Sequence, residues 1–155
     1  MKMKNMTLVR IPTNIVQEKT IIAPSILQQM VKTILEPEDD AAHVEMGGDW
    51  HIPTSDQFEE LISGTSRKWI ENYQDSGVNG RLFTSKTNGN SIFIPASGTR
   101  IDTLIVKQGE YFTLWSSSGN NEYINSSFHL HYTSKGGAVG DSHRYLGYCL
   151  RGVIG

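Results

Sequence analysis

PTSDQFEELI, residues 53–62, carries the strongest local signal in the chain. Thr54 followed three residues later by Gln57 is a capping-box pattern, in which each side chain takes up a backbone N–H that the first helical turn leaves unpaired. Phe58, Leu61 and Ile62 then share one face and Gly64 follows, so the stretch is predicted to be a short amphipathic helix. Beyond it the apolar period changes to two. RLFTSK (81–86) and SIFIPA (91–96) flank Thr87, Asn88, Gly89 and Asn90, a turn of the kind that joins antiparallel strands. YFTLWSSS (111–118), YINSSFHLHYT (123–133) and HRYLGYCLRGV (143–153) also read as strands, with Phe128, Leu130 and Tyr132 alternating against Ser127, His129 and His131. SSSGNNEYINSS (116–127) and TSKGGAVGDSH (133–143) are rich in Gly, Ser and Asn and read as surface loops.

Upstream, Pro37 opens a second short helix in EPEDDAAHVEM (36–46), with Glu38, Asp39 and Asp40 in a first turn where the helix dipole favours them and Gly47 just past its end. The acidic run also suggests calcium, but no spaced oxygen-ligand loop follows it. Residues 7–22 alternate short apolar pairs with polar residues and include Pro12, which suits an edge strand or an extended arm. Pro24 reads as a first helical position, and Ile26, Leu27, Met30, Val31 and Ile34 then lie on one side of a helix of about three turns. That stripe needs a partner, either the chain's own core or a neighbouring subunit or larger assembly. The expected fold class is α+β: two short helices, then a mostly antiparallel twisted sheet with long loops, preceded by an N-terminal arm and helix. The division is residues 1–32, an anchoring or oligomerisation segment, and residues 33–155, one domain.

The chain has 155 residues, enough for a single core, and carries 14 basic and 16 acidic residues for a formal net charge of -2. Charges of both signs are spread along it, unlike the one-sided basic footprint of nucleic-acid binding, so no nucleic-acid partner is expected. Its one cysteine, Cys149, closes no intramolecular disulfide and reads as a small buried apolar residue. The N-terminus lacks the apolar stretch and cleavage site of an export signal, and no run approaches the roughly 18 apolar residues of a membrane span, so neither export nor membrane insertion is expected.

LEPEDDAAHVEMGGDWHIPTSDQFEELI (35–62), with GVNGRLF, NGNSIFIPASGTR, LWSSS and RYLGYCLRGV after it in that order, resembles the family named the Fibrobacter succinogenes major paralogous domain. The resemblance covers roughly residues 33–153. It implies a C-type-lectin-like, formylglycine-generating-enzyme-like fold of the sort common in gut anaerobes and their phages. The chain departs from the family pattern at His51, where Arg or another residue is usual, and at 149–153, where the closing strand often reads like SVRPV. Residues 1–32 replace the usual upstream part of the domain.

Neither tripeptide of calcium-dependent sugar binding occurs in the chain, and one cysteine cannot supply the cysteine pair of the copper-dependent formylglycine-generating oxidases. A Ser-His-acid set drawn from the WSSS serines, His129 and Asp141 lacks a nucleophile elbow, and the resemblance makes WSSS a strand end with Trp115 in the core. His129 and His131 on one strand face, joined by His143, form a conceivable metal set, against the simpler reading of a half-exposed sheet face. No catalytic residue, metal or cofactor is therefore expected. The expected ligand surface is instead a set of loop residues, Arg100, Asn120, Asn121, Tyr123, Asn125, His143 and Arg144, because Asn and Tyr supply adaptable hydrogen bonds and rigid amphipathic area at little entropic cost. The expectation is a non-enzymatic phage virion protein. Its N-terminal segment binds other virion proteins or its own copies, and its loops touch a host-surface glycan or protein. The alternative is a bacterial surface or secreted adhesin-like domain.

Overall fold

The computed structural model describes residues 34–154. The expected arm, and all of the stripe except Ile34, lie outside them. Ile34 itself forms an extended bridge to Ser118 rather than the end of a helix. Among the described residues the architecture is mixed helix and sheet, with mostly antiparallel strands, two short α-helices and long loops.

Helix α1 is Ala41–Met46, four residues shorter at its start than Pro37 suggested, because Asp40 is its cap and not part of its first turn. Asp40 Oδ1 accepts the N–H groups of Ala42 (2.8 Å) and His43 (3.1 Å), and Oδ2 accepts the N–H of Ile52 (2.8 Å). This carboxylate is buried and ties the helix to the next segment, which leaves it no role as a calcium ligand. Helix α2, Ser55–Gly64, has the capping box read from the sequence: Gln57 N–H donates to Thr54 Oγ1 and Thr54 N–H to Gln57 Oε1. His51 also reaches Gln57 Oε1, at 3.2 Å from Nε2.

Among the described residues ten strands form four small sheets. β1 (Trp50–His51) pairs with β10 (Val153–Ile154), joining the two ends of the domain. β2 (Thr65–Ile70), β3 (Gly80–Ser85) and β4 (Ser91–Pro95) form an antiparallel meander whose second hairpin turns at Gly89, as the sequence indicated. β5 (Thr99–Ile101) and β6 (Leu104–Val106) make a short hairpin. β7 (Tyr111–Gly119), β8 (Ser126–Thr133) and β9 (Gly136–His143) make the central sheet.

Two strand expectations need correction. GGAVGDSH is β9, not a loop. An edge strand needs only its backbone ladder, and a Cβ on Gly137 would collide with His131 O and the ring of Tyr132, so the glycine that looked like loop composition allows the strands to close up. Conversely, HRYLGYCLRGV is not one strand. It leaves β9 at His143, crosses the central sheet with Tyr148 against Trp115 and His129, and touches the far edge of β7 at Cys149.

β7 is the spine, buried from Phe112 to Gly119. Phe112, Leu114, Leu130 and Tyr132 face one way and join Phe58 of α2, Phe83, Ile94 and Cys149. Trp115 faces the other way and joins Ala42, Ile52 and Leu150, with Leu35, Met46 and Tyr148 packed around them. Each fully buried side chain of this size contributes about 1.5–3 kcal/mol.

Candidate functional site

The seven loop residues expected to bind fall on three segments linked by backbone hydrogen bonds. The first is the 120–125 loop at the C-terminal end of β7. Asn120 Oδ1 accepts the N–H groups of Glu122 (2.8 Å) and Tyr123 (3.1 Å), and Ser126 N–H donates to Tyr123 O (2.8 Å). The loop is therefore held by its own amide and aims Asn121, Tyr123, Ile124 and Asn125 outward, with Tyr123 63% and Ile124 57% exposed.

The second segment is 143–147. Arg144 N–H donates to Asn125 O (2.9 Å) and Arg144 Nε to Ser126 O (3.1 Å), which fastens it to the first. Partial burial lowers the Arg144 pKa from its ordinary value. His143 stacks on Tyr145 at 5.5 Å and 14°, and Tyr145 is 72% exposed. The third is the β5–β6 hairpin, whose Arg100 exchanges backbone hydrogen bonds with Gly147 (2.8 and 3.0 Å) and whose side chain donates from Nε to Asp102 O (3.1 Å). Ile101, Leu104 and Ile105 stand exposed on it.

Asn120 and Arg144 thus spend polar atoms in holding the backbone, while Asn121, Tyr123, Asn125 and His143 present theirs to solvent. Sequence reasoning missed Ile101, Leu104, Ile105, Ile124 and Tyr145. For the hairpin the available signal was the apolar run Leu104, Ile105 and Val106 after Asp102 and Thr103. Beside the hairpin lies a largely apolar cleft of about 480 Å³, lined by Val78, Pro95, Ser97, Arg100, Ile105 and Cys149 among others. Burial pushes the Cys149 thiol up, opposed by the neighbouring Ser97 hydroxyl, which has no other partner among the described residues.

The histidines do not converge. In the β8–β9 register His143 pairs with Ser126 while His129 pairs with Gly140, so His143 falls on the face opposite His129 and His131. His131 Nδ1 lies 2.9 Å from Thr113 Oγ1. His129 is not on a half-exposed face as expected. It is buried between Trp115 and Tyr148, and its Nδ1 has no partner among the described residues. Burial, reinforced by His131 and opposed by Asp141, holds its pKa at about 4 instead of 6.5. Among the described residues no three His, Cys, Asp or Glu side chains form a group able to hold a metal ion.

The serines of WSSS are buried in β7. Ser116 Oγ accepts the N–H of Ser118 (2.9 Å) and Ser118 Oγ the N–H of Ser55 (3.1 Å). Ser116 and Ser118 act as backbone caps, and Asp141, paired with Phe128, lies on the sheet face away from His129. In comparisons with family models, curated proteins and solved structures, the chain matches none.

Proposed function

We propose that this chain is a non-enzymatic structural and binding protein, a C-type-lectin-like domain carried on a phage particle, whose interaction surface is the row formed by 120–125, 143–147 and the β5–β6 hairpin. The observation that carries this reading is where the exposed apolar side chains lie. Six of the ten exposed large apolar side chains among the described residues, Ile101, Leu104, Ile105, Tyr123, Ile124 and Tyr145, stand on these three linked segments, and the other four, Ile34, Val44, Val78 and Ile154, lie outside them. Clustered exposed apolar and aromatic area rimmed by amides and an arginine marks a surface for a partner. The hydrogen bonds that hold the loop and Arg144 in place fix it before binding, which reduces the entropy lost on association.

A catalytic reading draws no comparable support, because the Ser116 and Ser118 hydroxyls accept backbone N–H groups and His129 is enclosed by rings. The lectin-like assignment rests on the family resemblance and agrees with the antiparallel α+β frame. The experiment is binding of fluorescently labelled full-length protein to cells of gut anaerobes and to an array of bacterial surface polysaccharides. Wild type is expected to bind at least one, and Arg100→Ala with Tyr145→Ala to lower retention at least tenfold without changing the circular dichroism. Equal retention by the variant, or no binding by wild type, overturns the reading.

A further inference from the structure

Arg81 of β3 is 7% exposed, and no carboxylate of the described residues pairs with it. Its Nη2 donates to Thr133 O (2.8 Å), while its Nε is enclosed with no partner among the described residues. Cζ lies over two rings, 5.9 Å from the centre of Trp69 and 5.1 Å from that of Tyr132. The rings offset part of the cost of burying the charge, but they supply no acceptor in the plane of the guanidinium.

A second guanidinium stands nearby. In the β2–β3 register Trp69 pairs with Arg81 and Arg67 with Phe83, so Arg67, Trp69 and Arg81 share one sheet face. Arg67 is exposed, and its Nη1 donates to Ile62 O in the last turn of α2. Burial lowers the Arg81 pKa, the Tyr132 phenol raises it, and the like charge of Arg67 lowers it again. Two like charges on one face, without an acidic partner among the described residues, cost free energy that a bound anion recovers. Beside them Trp69 is partly exposed on β2, the edge strand of its sheet.

We propose that Arg67, Trp69 and Arg81 form a second ligand site, which takes a small carboxylate carried on a ring. The guanidinium groups take the two carboxylate oxygens in one plane, the geometry that arginine matches best. The indole packs against the ring that bears the carboxylate. This site goes beyond the surface proposed above and lies away from it. β8 starts at Ser126 beside the 120–125 loop and reaches Arg81 only at Thr133, about 23 Å of strand further on.

The test is titration of the nitrogen-15-labelled full chain at low salt, followed by NMR through its three tryptophan indole N–H peaks; that of Trp69 is the one removed by Trp69→Phe. The probes are glucuronate, whose ring is a sugar, and benzoate, whose ring is aromatic, with acetate and benzyl alcohol as controls that each lack one half of the ligand. At least one ring carboxylate is expected to shift the Trp69 peak with a Kd at least tenfold below that of either control, and the tighter of the two identifies the kind of ring. Arg67→Glu, a change at an exposed position, is expected to weaken binding at least tenfold with unchanged circular dichroism, and molar salt to do the same. Arg100→Ala with Tyr145→Ala leaves this affinity as it is, so the two sites stand or fail separately. No shift at Trp69 with either ring carboxylate, an equal response to a control, or full affinity in Arg67→Glu overturns the proposal whatever the cell-binding experiment shows.

Discussion

At the scale of the residue, His129 is the group whose chemistry the fold changes most. Its ring lies 6.1 Å from that of Trp115 and 5.3 Å from that of Tyr148, and burial keeps it neutral. Because its folded pKa is about 4 while the unfolded chain titrates near 6.5, the unfolded state binds the extra proton first as pH falls. The stability that neutral His129 contributes is complete above pH about 6.5 and is lost as pH falls towards 4. Calorimetry between pH 7 and 4 should show a melting temperature that falls more steeply for wild type than for His129→Gln; parallel curves would refute the assignment. Gly98 is a second residue-scale case. Its φ of 68° suits glycine, and a Cβ there would strike Val106 O. Gly98→Ala should cost more than 1 kcal/mol in urea denaturation, since both the backbone conformation and the space are denied to it.

At the scale of the element, side-chain caps decide where the helices begin. Thr54→Ala removes one half of the α2 capping box and should cost about 1 kcal/mol, which lowers the melting temperature by roughly 2–4 °C. Asp40 caps α1 and also holds Ile52, so Asp40→Ala leaves three N–H groups without their carboxylate. Its cost in the same measurement should exceed that of Thr54→Ala by at least twofold, because an unsatisfied buried donor costs about 1–3 kcal/mol. Among the strands, β7 and β8 were legible from alternation, whereas β9 was not. Its residues are mostly exposed or partly exposed and it contributes mainly Val139 to the core, so it carries little of the apolar alternation by which a strand is recognised.

At the scale of the whole molecule, stability rests on β7 being covered on both faces and closed along its far edge. Leu35, Pro53, Gly98 and Cys149 all take or give backbone hydrogen bonds to that edge, and β1 with β10 joins the domain's ends. Trp115 is the largest side chain in this arrangement and is 1% exposed. Trp115→Ala should cost about 3–5 kcal/mol. Loss of the cooperative thermal transition, or a drop of roughly 10 °C or more, is the expected readout; a shift within 2 °C would show that the second cluster contributes little.

What the sequence determined by itself was local. The Thr54 and Gln57 box, the Gly89 turn and the alternation of β8 each follow from the chemistry of neighbouring residues, which spacing alone reveals. It also marked the Asn- and Tyr-rich loop, since composition records where a chain has no core to enter. Only the tertiary structure decided what depends on register and crossing. His143 parts from His129 because pairing with Ser126 puts it on the other sheet face. Arg100 joins the loop residues because Gly147 returns across the sheet to meet it. Ile34 lies beside the C-terminal end of β7 because it pairs antiparallel with Ser118. These contacts link residues tens of positions apart, and their pairing is set by how the two faces of β7 are filled, which no local periodicity encodes.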